Sequence, residues 1–328
     1  MSDSTKRIMT LAHHEYRSAL RSRILVVLLG ILVAVTAVSV YIASVDYASE
    51  LADYEAYRAA AQANGLDRIA ASPLAALSLL RGSLEYLEII GAVIAIALGY
   101  LTVTRERANR TLPLLRSRPV TAGELATGSF VGAVGVIATL VGVTAVVGVL
   151  GVGLVGHDWI SASQSLRLTL AYLASIVYMS SFYCLGAITT AKARVAANGL
   201  MIALGIWLVV VLVLPQIGDT MDADNQIPGG LFKALTLDRN GETEVLRHFT
   251  TYETIRTSTE EASLAKHYER FAFGMTDVKE RYRPHGLAWL LGHTRNNVVW
   301  LVLYAAVLYA GMRRAFRQQP TVPQGGTR

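Results

Sequence analysis

The sequence predicts an all-α polytopic membrane protein with six transmembrane helices, an N-terminal amphipathic helix and a helical outer segment before the last span. Three observations carry that prediction. Six long apolar stretches, at 24–44, 87–104, 130–156, 168–191, 196–218 and 296–312, hold no charged residue away from their ends. Composition agrees: 53% of the 328 residues are hydrophobic and only 16% are charged, with a mean hydropathy of +0.41, outside the soluble globular norm. Charge is also sorted along the chain. If the first span enters from the cytoplasm, segments 1–23, 105–128, 192–195 and 313–328 hold sixteen Lys and Arg against four Asp and Glu. The rest of the chain holds fourteen basic and twenty acidic residues. Basic loops stay cytoplasmic, so the chain is expected in the cell (cytoplasmic, or inner) membrane as a multi-pass protein with both termini inside. This asymmetry accounts for a pI of 9.4 without any nucleic-acid role.

Each stretch has a physical reading. About 20 apolar residues cross a hydrocarbon core of about 30 Å, and backbone groups in lipid must be satisfied within the segment, which makes helices the expected form. The shorter spans 87–104 and 296–312 must thin the bilayer, snorkel or pack on neighbours. Residues 1–23 precede the first span; Ile8, Ala12, Tyr16, Ala19 and Leu20 share one helical face there. That pattern suits an amphipathic helix in the inner headgroup region. Its length and five Lys and Arg read as a retained first span rather than a cleaved signal. His13 and His14 beside Glu15 lack metal-ligand spacing and read as an interfacial polar face.

In the first outer loop, Ser72–Pro73 starts a helix, and Leu74, Leu77, Leu80, Leu84 and Leu87 mark one face of it. This helix is expected on the outer surface, running into span two. Span three is rich in glycine, and Gly128 and Gly132 match the small-xxx-small spacing that allows close helix approach. Cys184, the one cysteine, lies in span four and reads as a small packing residue. Segment 219–295 is the largest outer element. Asn240–Gly241 reads as a turn, and Ser258 with Glu261 as a capping box ahead of a face made by Leu264, Tyr268, Phe271 and Met275. Residues 287–291 are too short to cross and read as an interfacial or re-entrant helix. His248, His267, His285 and His293 form no ligand-like cluster.

The inner loop 105–129 is the most informative local sequence. Arg105-Glu106-Arg107 opens it, Leu112, Leu114 and Leu115 give a short amphipathic helix, and Pro119 fixes a turn. Thr121 then caps a second helix with Glu124 at the third position. A compact, basic, partly apolar element of this kind suits docking in a partner's groove.

Here the chain resembles the membrane subunits of type-2 ABC exporters, especially six-span permeases like those of nitrous-oxide-reductase maturation and gliding motility. Glu106, Thr111, Leu112, Leu115, Ser117, Pro119, Val120, Thr121, Glu124 and Gly128 match the loop pattern of that family, while Arg110, Gly123 and Ser129 depart from it. The resemblance covers nearly the whole chain. It implies a permease subunit that exports a substrate the sequence does not identify, working as a homodimer or heterodimer with separate ABC ATPase subunits. The loop 105–129 would be the coupling element, with Glu106, Thr111, Leu112, Leu115, Ser117, Pro119, Val120 and Glu124 at the ATPase contact. The implied organisation is a cytoplasmic helix (1–23), spans one to five (24–218), an extracytoplasmic helical segment (219–295), span six (296–312) and a cytoplasmic tail (313–328).

No Gly-Lys-[Ser/Thr] phosphate loop occurs in the sequence, so no cofactor is expected in this chain, and ATP and Mg would be bound by the partner subunit. An enzyme is disfavoured because no zinc motif, nucleophile elbow or paired intramembrane aspartate is present. A secondary transporter would need ionisable groups at mid-membrane, and Glu88, Arg105, Asp158 and Arg167 fall at the ends of the apolar stretches. Two rivals remain: a secondary transporter with a sodium site made from backbone carbonyls, and a membrane scaffold whose ATPase drives an extracytoplasmic protein partner through 219–295.

Overall fold

The computed structural model describes residues 3–64, 75–108, 121–221, 231–237, 239–278, 282 and 285–318. Among these the chain is nearly all helix and has no strand. Six helical runs are long and apolar enough to cross a membrane: Arg23–Ala63, Ala76–Arg107, Ala122–Val155, Ala162–Lys192, Ala196–Met221 and Leu287–Gln318.

Helix α1 (Asp3–Leu20) ends before Ser22, whose extended backbone starts α2 (Arg23–Ala63). At 41 residues, α2 is roughly 60 Å long, about twice a hydrocarbon core. The segment after the first span therefore begins as a continuation of it. The second span is composite: a 3-10 turn at Ala76–Leu80, α3 (Arg81–Tyr86), a π-helical turn at Leu87–Gly91 and α4 (Ala92–Ala108). Leu77, Leu80, Leu84 and Leu87 are fully buried in this run. The leucine face expected on the outer surface is thus part of the core; Ser72, Pro73 and Leu74 lie outside the described residues. Helices α5 (Ala122–Val155) and α6 (Ala162–Lys192) form spans three and four. Each opens with a capping box, Thr121 with Glu124 and Ser161 with Gln164. Span five runs through α7 (Ala196–Trp207), a π-helical stretch (Leu208–Val213) and α8 (Leu214–Met221).

The fifth span meets the outer helices at a backbone defect. In a π turn the Val210 carbonyl would accept from residue 215, but Pro215 has no N–H to give. Ser263 donates to that carbonyl instead, at 2.7 Å.

Among the described residues, four helices lie between spans five and six: α9 (Leu231–Ala234), α10 (Arg239–Arg247), α11 (Thr250–Glu261) and α12 (Leu264–Met275). Asn240 and Gly241 lie inside α10 rather than in a turn, and Ser258 lies inside α11 rather than at a helix start. Ser263 is the cap of α12, its hydroxyl accepting from the Lys266 amide. Last comes α13 (Leu287–Gln318), one continuous helix. The apolar patch at 287–291 is its first turn, so span six is entered without a separate interfacial helix. Its polar stretch is satisfied by neighbours: Asn297 bonds His267 at 3.0 Å and Thr294 donates to the Leu290 carbonyl at 2.7 Å.

The second and fourth spans occupy the centre, and spans one, five and six the periphery. Helices α4 and α6 touch backbone to backbone. A Cβ on Gly99 would collide with the Tyr183 carbonyl, and one on Gly186 would lie 2.5 Å from the Ile96 carbonyl oxygen. Small residues permit this approach, which drives packing where lipid and side chains are equally apolar. Around this seam Ile94, Ile96, Leu98, Tyr183 and Cys184 are fully buried.

Candidate functional site

Thr111, Leu112, Leu115, Ser117, Pro119 and Val120 lie outside the described residues, as does the whole stretch 109–120. Both ends of that stretch are described, and both are tied into other helices.

At the entry, Arg105 and Arg107 sit in the last turn of α4, where cations complement the helix dipole. Arg107 reaches across to the C-terminal end of α6, donating to the Ala191 and Ala193 carbonyls at 2.8 and 3.2 Å. Arg105 bonds the Leu101 carbonyl at 3.0 Å, the Ser18 hydroxyl and Glu15 Oε1 at 3.3 Å. Thr102 donates to the same Glu15 oxygen at 2.7 Å. Glu106 lies beside them, hydrogen-bonded to Ser129 of α5.

At the exit, the capping box expected from the sequence is formed. Glu124 N–H donates to Thr121 Oγ1 at 3.1 Å, and the Thr121 amide donates to Glu124 Oε2 at 2.8 Å. The other Glu124 oxygen takes two bonds from Arg7 of α1, at 2.7 and 3.1 Å. This fork holds the Arg7 guanidinium above its ordinary pKa, chiefly through the hydrogen bond to Glu124.

Helix α1 therefore bridges the two ends of the loop. It lies against the first half of α5, where Gly128 and Gly132 leave room for it. A Cβ on Gly132 would come within 2.5 Å of the Ala12 carbonyl oxygen and 2.7 Å of Glu15 Cβ. The buried residues of α1 are Ala12, Glu15 and Ala19, and Tyr16 shares a hydrogen bond with Thr139 at 3.0 Å. The sequence identified the apolar face and the glycines but missed Arg7, Glu15, Thr102 and Arg105 as its polar fastenings. A single acid three residues after Ala12, inside the apolar stripe, was the available signal.

The opposite end of the bundle is closed by α12. Tyr268 is fully buried, stacks on Tyr178 with ring centroids 4.6 Å apart and donates to the Leu84 carbonyl. Tyr178 donates to the Glu88 carbonyl at 3.0 Å, so two tyrosines satisfy the backbone around the π turn of span two. Lys266 pairs with Asp219 at 2.8 Å and Glu269 at 3.0 Å. Burial works against its ammonium, but Glu269 and Asp219 hold its pKa above the ordinary value. Glu88, expected at a span end, falls within the run Ala76–Arg107 and in the field of Lys266 and Glu269. Arg167 clamps α12 from α6 through Asp277 at 2.5 Å and the Met275 carbonyl at 3.0 Å. Among the described residues no group of three or more His, Cys, Asp or Glu side chains could hold a metal.

The arrangement is mechanical in character: a loop whose ends are bonded to α1, α4, α5 and α6, below a helical bundle sealed at the far end. Comparison with curated proteins finds no match for the sequence. The family model described as ABC-2 family transporter protein matches residues 9–319. With six apolar spans and a match over nearly its whole length, the chain belongs to the ABC-2 transporter family and is a membrane subunit of an ABC transporter.

Proposed function

We propose that this chain is the permease of an exporter powered by separate ATPase subunits that dock on the loop 105–129. One observation carries the reading: both ends of that loop are fastened by charged hydrogen bonds to the same N-terminal helix. A push on the loop would be passed to α1 through Arg7–Glu124 and Arg105–Glu15, and to α6 through Arg107. Arginine–carboxylate bonds are strong and directional, so the loop would move these helices together rather than flex alone. ATP and Mg would stay with the partner. In this reading the arginine-rich end, with both termini, faces the cytoplasm of the cell membrane. Spans two and four, central in one chain, would be flanked by a second permease, identical or related.

The contact is assigned to Glu106, Thr111, Leu112, Leu115, Ser117, Pro119, Val120 and Glu124. Leu115→Asp tests it, because an ionised carboxylate is costly to bury unpaired in an apolar groove. The expected result is loss of ATPase co-purification while membrane insertion and detergent elution stay normal. Undiminished association in the pull-down would remove this loop from the interface.

A further inference from the structure

We propose that the arginine-rich end carries a binding site for the phosphate of an anionic phospholipid headgroup, between the start of α5 and the end of α13. The proposal rests on the chain lying in a bilayer; because Thr121, Gly123, Glu124 and Thr127 of the loop 105–129 line the site, its test reads lipid binding and ATPase association separately.

A cavity of about 580 Å³ opens there, lined by Ser4, Thr121, Gly123, Thr127, Arg313 and Arg317 among others. Tyr309 anchors the end of α13 on α5: its hydroxyl bonds Thr127 at 2.8 Å and its ring packs on Phe130 at 4.7 Å. Arg313 and Arg317 follow at one and two further turns of the same helix face. Arg313 lies over the Tyr309 ring at 6.0 Å. Both guanidinium groups converge on Gly123, with nitrogens 3.2 and 3.9 Å from the position a Cβ would take. The Nε of Arg313 is buried and has no hydrogen-bond partner among the described residues. Among the described residues neither arginine has an ion-pair partner.

The described side-chain acids on this side are directed to other groups. On the arginine-rich side the side-chain carboxylates are Asp3, Glu15, Glu106 and Glu124, and segments 109–120 and 319–328 contain no Asp or Glu. Glu15 is engaged by Thr102 and Arg105. Glu106 is held at Ser129, and Asp3 acts on Arg7. Glu124 also lines the cavity, but one of its oxygens is taken by Arg7 and the other by the Thr121 amide and hydroxyl. Two cations and the N-terminal end of a 34-residue helix thus face one space in which, among the described residues, the carboxylate of Glu124 is already engaged by Arg7 and Thr121. Helix N-termini and paired arginines both favour phosphate oxygens. Ile8 adds an apolar wall, and basic pockets between spans at the headgroup level hold anionic lipids. A free phosphate would use the same donors, but a lipid is supplied by the bilayer in which the chain lies.

The test is titration of the purified full-length chain with short-chain phosphatidylglycerol, short-chain phosphatidylcholine and inorganic phosphate, each followed by native mass spectrometry and thermal shift. Phosphatidylglycerol is expected to bind saturably and raise Tm, with phosphatidylcholine and phosphate weaker. The pair Arg313→Gln and Arg317→Gln should weaken phosphatidylglycerol about thirtyfold, from the contribution of two arginines near a surface. Gly123→Leu, which fills the cavity and keeps both charges, should weaken it as well and guards against a folding defect in the double variant. Phosphate binding as tightly as phosphatidylglycerol would overturn the lipid assignment. So would unchanged phosphatidylglycerol binding in both variants. Loss of ATPase co-purification in the arginine variants, with lipid binding intact, would reassign the arginines to a carboxylate of the partner.

Discussion

Gly99→Leu is expected to prevent assembly of the bundle, whereas Gly205→Leu in span five should be tolerated. Both glycines sit in apolar spans, but their surroundings differ. A Cβ at Gly99 would strike the Tyr183 carbonyl and lie 2.7 Å from the Ala187 amide nitrogen, both backbone atoms of α6. Backbone cannot rotate away as a side chain can, so the two central helices must separate. Overpacking of this kind costs about 3 kcal/mol, and separation would also loosen the buried Ile94, Ile96 and Leu98. A Cβ at Gly205 meets nothing within 4 Å. Thermal melting and the monodisperse fraction in detergent check the pair. Equal behaviour of the two variants would show that the α4–α6 seam does not hold the fold.

Glu15→Ala should uncouple the loop without preventing insertion. Removal of this carboxylate leaves Thr102 without its cross-helix acceptor and deprives Arg105 of its charged partner on α1. A buried hydrogen bond to a charged group contributes about 2 kcal/mol, and the 27% exposure of the Arg105 side chain places the loss at the lower end of that range. Arg105 keeps Ser18 and the Leu101 carbonyl, so the helix end should survive. Transport per ATP hydrolysed is the informative readout in the complex: the expected result is hydrolysis retained with transport reduced. Glu15→Gln, which keeps an acceptor oxygen, should lie between the two. Full transport stoichiometry in Glu15→Ala would show that α1 does not carry the stroke.

The errors in the sequence reading have a shared cause. Leucines at 77, 80, 84 and 87 were correctly grouped on one face, but periodicity reports that a face is apolar and not whether lipid, the outer surface or protein covers it. Here α5 and α12 cover it, and the leucines enter the core. Ser258 and Glu261 satisfy a capping pattern, yet both lie inside α11, and Ser263 caps the following helix, α12. What selects Ser263 is remote in sequence: its hydroxyl also meets the Val210 carbonyl that Pro215 leaves without a donor. The sequence reading starts span six at 296 and takes 287–291 as a separate interfacial or re-entrant helix. Asn297 finds His267 across the helix packing, so one helix runs through both.

The sequence by itself determined the membrane location class, the six spans, the apolar face of α1 and the Thr121–Glu124 start of α5, because each is written in contiguous residues. Spans follow from the length of an apolar run, and a helix cap from residues three apart. Only the tertiary structure decided which spans are central, that α1 fastens both ends of the loop, and that Arg313 and Arg317 share a cavity with the start of α5. Those features pair residues far apart in the sequence, such as Arg105 with Glu15 and Arg7 with Glu124. Charge and shape complementarity between distant segments leaves no local periodicity to read, and arises only once the helices are packed.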